Sequence, residues 1–231
     1  STYVESENEA DTLEIVLEDT ISRLEIVLSY AVFENYNVIT RNAKLINKSN
    51  KEFKIKRALS FNVDFNNSNY DVLQLSGAWA RERHIYRRAL IPGIQSIDSK
   101  RGISSHQQNP FIALLSKDAN EDFGDVYAFN LAYSGSFLAQ VEVDQFFTTR
   151  VQMGINPFDF EWNLEPGQSF QTPEAIMVYS SNGLGEMSRT YHKLYRERLC
   201  KGAYRDKERP ILINNWEATY FNFDAKKIEE I

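Results

Sequence analysis

Apolar side chains at every second position over residues 11–65 constrain the fold of this chain more than any other feature. The members of the first two runs are Leu13, Ile15, Leu17, Leu24, Ile26 and Leu28. Because successive side chains of a strand point to opposite faces, this period predicts strands with one buried and one wet face. Four such runs joined by short polar turns predict antiparallel sheets.

The second half of the sequence continues this pattern and adds one helix. Further strands are predicted at residues 70–75, 111–115, 126–133, 137–144, 148–154 and 175–179. Over residues 183–200 the apolar positions Leu184, Met187 and Tyr191 recur at spacings of three and four, which predicts a helix. Residues 66–110 are less regular and include a basic stretch at 81–88, interpreted as an ion-pair network or a subunit contact.

The tail reads as the start of a new element. Pro210 precedes Ile211, Leu212 and Ile213, which suits the opening of a buried strand. Trp216 follows where that strand would end, and aromatic and polar groups at that end of a strand are typical of barrel active sites. Asp224 is placed to cap a helix beginning at Ala225, so the tail is half of a βα unit.

Composition excludes several classes of function. The net charge is -6 and the pI is about 5.2, so no nucleic-acid partner is expected. There is no apolar run of membrane-spanning length and no secretory signal. The single cysteine, Cys200, excludes an internal disulfide and indicates a reducing, cytoplasmic compartment. The three histidines lack metal-ligand spacing, so neither a metal nor a cofactor is expected.

Candidate polar groups each have a structural and a functional interpretation. His84 and His106 lie in polar segments, where they serve either a site or a structural hydrogen bond. His192 is interpreted as a surface residue. The segment 158–162 alternates aromatic and acidic residues, which suits either a sugar-binding surface or a strand with one buried face.

Six segments of the chain together resemble the microbial α-galactosidases (melibiases) of glycoside hydrolase family 36. They are LSGAWARERH at 75–84, PGIQSI at 92–97, SSHQQNPF at 104–111, FLAQVEVDQF at 137–146, RVQMGINPF at 150–158 and RDKERPILINNWEAT at 205–219. The resemblance covers essentially the whole chain.

The resemblance implies an N-terminal antiparallel β-supersandwich of the galactose-mutarotase-like type, followed by a catalytic (β/α)8 barrel. We therefore expect residues 1–182 to be the supersandwich, with its own opening missing. Residues 183–209 would be a helix and charged linker, and residues 210–231 the first strand and helix start of a truncated barrel. The family is expected to act as a homo-oligomer, a tetramer, on α-galactosides such as melibiose and raffinose.

For this chain the resemblance implies substrate contact without catalysis. The family retains anomeric configuration with two aspartates further along the barrel. The motifs Lys-Trp-Asp and Asp-Asp-Gly-Trp are absent here, so we expect no catalytic residue and no activity of the chain alone. Trp216 matches the tryptophan that lines the galactose pocket, with packing between barrel and sandwich as the alternative, and Asn215 and Glu217 would orient it. A stand-alone carbohydrate-binding or assembly module, or part of a raffinose-synthase-type galactosyltransferase, remain alternative functions.

Overall fold

Antiparallel β-strands fill most of the described chain, which runs from residue 2 to residue 231 in a computed structural model. The strands are β1 (Asp11–Asp19), β2 (Leu24–Phe33), β3 (Val38–Asn47), β4 (Phe53–Ile55), β5 (Leu59–Phe65), β6 (Asp71–Ala78), β7 (Arg81–Ala89), β8 (Gly93–Asp98), β9 (Gln108–Leu115), β10 (Val126–Ala132), β11 (Phe137–Val143), β12 (Thr149–Ile155), β13 (Trp162–Leu164), β14 (Ser169–Gln171) and β15 (Glu174–Ser180). The helices are α1 (Gly183–Leu194), α2 (Trp216–Thr219) and α3 (Ala225–Glu229), with a 3-10 turn at Glu34–Tyr36 and a π-helical turn at Tyr195–Leu199. The predicted strands and helix are thus largely confirmed.

Residues 2–199 form one unit built on three sheets, and residues 200–231 form a second unit. The largest sheet has the order β1-β2-β3-β15-β10-β9-β6-β7, with β14 pairing to β3. A four-stranded sheet has the order β5-β12-β11-β8, and β13 pairs with β4. The pairs within these sheets are antiparallel, which confirms the predicted antiparallel β-supersandwich.

The centre of the large sheet is buried on both faces. In β9, Ile112 and Leu114 pack in the cluster shared with the four-stranded sheet. Their neighbours Ala113 and Leu115 pack in a second cluster, which includes Met187 of α1. Strands covered on both sides read as continuous apolar runs, which explains why this segment does not alternate.

The first hairpin departs from its predicted burial. Strands β1 and β2 pair over their full lengths, as the alternation predicts. However, β1 is exposed on both faces, and Leu13 and Leu17 remain more than half or half exposed. The prediction of one buried face is wrong for β1 because it is the edge strand, with only β2 beside it among the described residues.

The basic stretch at 81–88 forms β7, the edge strand at the opposite end of the large sheet. Its residues are all exposed. Arg87 pairs with Asp71 at 2.8 Å, and Lys117 pairs with the same carboxylate at 2.7 Å. Within residues 2–231, Arg81, Arg83 and Arg88 form no ion pair closer than 4.0 Å, so the predicted ion-pair network is limited to Arg87.

Arg198 ties the start of the described chain to the π-helical turn. This buried side chain donates to Glu9 Oε1 at 2.8 Å and lies 3.6 Å from Glu5 Oε2. Its backbone carbonyl accepts from the Tyr3 amide at 3.2 Å. The same turn supplies Glu197, which accepts a hydrogen bond from Tyr36. Burial, reinforced by this bond, raises the pKa of Tyr36 to about 12.

We expect Arg198→Met to lower the free energy of unfolding by about 2 kcal/mol, because it leaves the Glu9 carboxylate half-buried without its partner. Methionine keeps most of the aliphatic packing, so the loss reports the charge and its hydrogen bonds. Arg196→Met is the matched control, since Arg196 is exposed on the same turn. Urea unfolding checks this, and equal shifts of the two variants would contradict it.

In the second unit the predicted strand at Ile211, Leu212 and Ile213 is not formed. Ile211 and Leu212 are 97% and 90% exposed, and neither pairs with a strand of the described chain. A strand needs a neighbour for its backbone groups, and no strand lies within residues 200–231. The helix predicted at Ala225 is present, and Asp224 caps it by accepting from Lys227 N at 2.9 Å.

Candidate functional site

Trp216, the predicted substrate-binding residue, begins the short helix α2 rather than ending a strand. The amide of Asn214 accepts a hydrogen bond from Trp216 N at 3.1 Å. Asn215 donates from Nδ2 to Thr219 Oγ1 at 2.7 Å, and the Asn215 carbonyl accepts from the same hydroxyl at 3.1 Å. The two amides therefore hold the turn that presents the indole.

The indole lies in a small aromatic cluster. The ring of Tyr220 is 5.3 Å from that of Trp216, and the ring of Phe221 is 5.1 Å away at an interplanar angle of 87°. Such edge-to-face contacts are favourable and fix the ring plane. Trp216 nevertheless stays 47% exposed. The arrangement provides an apolar wall, as the sugar-pocket prediction requires, and the packing role is not observed within residues 200–231.

The residues predicted to orient Trp216 have different partners. Asn215 contributes through its bonds to Thr219, as described above. Glu217 is exposed in the first turn of α2. Asn214, which sequence reasoning passed over, makes the direct bond to the tryptophan backbone. An amide two residues before a helix start is a common capping signal that could have identified it.

The three histidines are spread over the first unit. His84 lies on β7 and lines a polar groove, whereas His106 is exposed in the turn before β9. His192 is exposed on α1. No group of three or more metal-ligating side chains is found among residues 2–231. Over the same residues, no helix is long and apolar enough to cross a membrane.

The aromatic and acidic segment at 158–162 is only partly a strand. Phe158 and Asp159 form a turn, in which Asp159 has a φ of 53°, and regular pairing begins at Trp162. Phe160 packs on the small cluster around Phe170, 5.9 Å between rings. The prediction of an alternating strand over this segment is therefore wrong before Trp162, since the left-handed residue breaks the extended backbone.

Several carboxyl groups of the first unit are held in ion pairs. A hydrogen bond from Arg150 lowers the pKa of Asp64, and one from Lys54 lowers the pKa of Glu161. Burial raises the pKa of Asp71, but bonds from Lys117 and Arg87 outweigh it, so the net pKa is lowered. A general acid needs a raised pKa. These three groups therefore act as ionic partners and do not suit proton donation.

One set of polar residues was missed by sequence reasoning. Gln74 and Ser76 face one side of β6, where they line the groove that contains His84. The signal was present in the sequence, because these polar residues alternate with Leu73 and Leu75 in a strand otherwise read as buried.

Two family models match consecutive parts of the chain. The glycosyl hydrolase family 36 N-terminal domain matches residues 1–165. The melibiase model matches residues 169–231.

Curated relatives carry related names. The chain is 62% identical over 231 residues to alpha-galactosidase AgaA of Geobacillus stearothermophilus, covering 100% of this chain and 32% of AgaA. It is 42% identical over 229 residues to alpha-galactosidase Mel36A of Lactobacillus acidophilus, covering 99% of this chain and 31% of that protein. The chain thus spans about a third of the length of these relatives.

Solved structures give the same result. An AgaA variant in complex with stachyose superposes with a TM-score of 0.96 at 61% identity, over 100% of this chain and 32% of that one. A second AgaA variant, in complex with raffinose, gives the same values. The alpha-galactosidase of Lactobacillus brevis has a TM-score of 0.96 at 46% identity, over 100% of this chain and 31% of its own.

Proposed function

The chain belongs to glycosyl hydrolase family 36, and we propose that it is the non-catalytic N-terminal part of a retaining α-galactosidase. The parent protein would hydrolyse terminal α-galactosides such as melibiose and raffinose. The observation that carries this proposal is the order of the two matches, in which an N-terminal-domain model is followed directly by a melibiase model. The raffinose and stachyose complexes of the AgaA variants support the substrate class.

The proposed division of labour follows the chain order. Residues 1–182 would form the supersandwich, residues 183–209 a helix and linker, and residues 210–231 the first βα segment of the barrel. Trp216 would contribute an apolar wall to the galactose pocket, since its ring is half-exposed and its plane is fixed by Tyr220 and Phe221. The two catalytic aspartates of this family's retaining mechanism would come from the barrel and not from this chain.

An activity assay on the chain alone tests the non-catalytic role. We expect the purified 231-residue chain to release no galactose from a chromogenic α-galactoside, because no pair of carboxyl groups in it is assigned to the two steps of retention. AgaA assayed in parallel is the positive control. Turnover by the chain that survives repeated purification would contradict this role.

A carbohydrate-binding module is the second candidate function, favoured by one feature of the first unit. A groove of about 480 Å3 contains the rings of Tyr133, Phe160, Trp162 and Phe170. Exposed rings suit the apolar faces of sugars. Saturable galactose binding that is lost in Trp162→Ala and kept in Trp216→Ala would favour this function over the first.

Two further properties are proposed for the parent protein. A cytoplasmic location is supported by the single cysteine, which is free and exposed. A homo-oligomer is supported by the exposed apolar side chains of β1, which are unusual on a monomer surface. Light scattering on the parent protein tests the oligomer.

A further inference from the structure

A polar groove runs beside the hairpin of β6 and β7 in the first unit. Its volume is about 750 Å3. The lining residues are Gln74, Ser76, Gly77, Ala78, Arg81, His84, Tyr86, Arg87, Arg88, Gln107 and Gln108. The strand register accounts for this face, because Gln74 lies opposite Tyr86 and Ser76 lies opposite His84.

The groove concentrates positive charge in an acidic chain. Arg81 and Arg88 line it, are exposed, and have no carboxylate within 4.0 Å among residues 2–231. The third arginine, Arg87, is already committed to Asp71 and to the carbonyls of Ser116 and Lys117. Guanidinium groups that are free and adjacent to a concave surface suit a carboxylate or a phosphate.

The floor of the groove has an unsatisfied acceptor. Gln74 is only 8% exposed, and its Nε2 donates to Ser76 Oγ at 2.9 Å. Ser76 in turn donates to Gln108 Oε1 at 2.9 Å. This chain of bonds leaves Gln74 Oε1 buried without a partner. Buried acceptors normally have a donor, and the arginines at the rim do not supply one here.

The two features require different groups on one ligand. The arginines require an anion, which cannot donate to Gln74 Oε1 because an ionised oxyanion only accepts. A hydroxyl group satisfies Gln74 Oε1, and the half-exposed ring of Tyr86 offers a surface for a sugar face. The cavity has the size of small-ligand sites.

We propose that this groove binds a small polyhydroxylated anion, with Arg81 and Arg88 holding the anionic group and Gln74 accepting from a hydroxyl. Sugar phosphates and sugar acids are the two sources of this chemistry. The site is separate from Trp216 and does not depend on the proposed glycosidase function. An ion-binding role also accounts for arginines that have no ionic partner within the chain.

Calorimetric titration of the 231-residue chain tests the site, with glucose 6-phosphate, galacturonate, inorganic phosphate and galactose as probes. We expect one equivalent of glucose 6-phosphate or galacturonate to bind, and whichever binds more tightly identifies the source. We expect Arg88→Gln to weaken that binding about tenfold, because it removes a charged hydrogen bond. Gln74→Leu should weaken the same ligand about fivefold while leaving inorganic phosphate unchanged.

Arg83→Gln is the matched control, because it removes the same charge from the same strand but lies outside the groove lining. Its binding should equal that of the unchanged chain, and circular dichroism of each variant should show an intact β fold. The proposal is overturned if no sugar anion binds at millimolar concentration. It is equally overturned if Arg83→Gln weakens binding as much as Arg88→Gln, or if inorganic phosphate binds as tightly as glucose 6-phosphate.

Discussion

Trp216→Ala is expected to lower kcat/KM for an α-galactoside about 100-fold in a hybrid that joins residues 1–231 to the remaining part of AgaA. Truncating an aromatic anchor in a binding pocket costs about 2–4 kcal/mol, and each 1.4 kcal/mol is about tenfold. The ring is half-exposed in the second unit and oriented by its neighbours Tyr220 and Phe221. Because Trp216 contributes an apolar wall, Trp216→Phe should recover much of the loss. Steady-state kinetics with a chromogenic substrate measures both.

Trp162→Ala is the control, since Trp162 is the same residue type and is 48% exposed against 47% for Trp216. It lies in the first unit, on β13. We expect it to leave kcat/KM within about twofold, because surface substitutions away from a site usually have small effects. Equal losses in the two alanine variants would remove the pocket role of Trp216. A Trp216→Ala hybrid with unchanged kinetics would do the same.

Gly77→Ala is expected to lower the free energy of unfolding by about 3 kcal/mol, at the upper end of the cost of overpacking. A Cβ at this position would lie 2.2 Å from the Arg81 carbonyl oxygen and 2.9 Å from Glu82 Cα. Both are backbone atoms of the opposing strand, so no side-chain rotation relieves the contact. The β6–β7 pairing already shifts register between Ser76 and Ala78, which brings the two strands together. Urea unfolding measures the loss.

Gly167→Ala separates steric contact from backbone strain. Gly167 has a φ of 78°, but its Cβ would meet nothing within 4 Å. We expect that variant to cost only about 1 kcal/mol, the penalty of a left-handed residue with a side chain. If Gly77→Ala were no more destabilising than Gly167→Ala, the close approach of the two strands would not limit this position.

Alternation in the sequence located most of the strands because burial on one face leaves a direct trace. Strand β3 and the paired strands β11 and β12 lie close to their predicted positions. The apolar run at 111–115 was also assigned correctly, since a strand between two packed layers needs apolar residues at every position.

The edge strands were harder to predict. Strand β7 carries four arginines and has no buried face, so the hydrophobic pattern that identifies strands is missing. Its strand character comes from pairing with β6, which the sequence does not encode locally. The burial of β1 was overestimated for the same reason, because alternation predicts an apolar face and does not say what covers it.

The candidate site was predictable only in part. Trp216 was identified through resemblance, since a tryptophan beside two amides has no distinctive spacing. The bond from Trp216 N to the Asn214 amide depends on a turn that follows the unformed strand. The groove beside Gln74 was not predicted either, because it joins residues from three strands that are distant in sequence.

Galactose release by the hybrid, compared with the chain alone, tests the central claim most directly. If the chain is the N-terminal part of an α-galactosidase, the hybrid should cleave raffinose with a kcat/KM within about tenfold of AgaA, because sequences 62% identical preserve the fold and most contacts. The chain alone should release none. A folded hybrid that leaves raffinose intact, while AgaA cleaves it under the same conditions, would contradict the account.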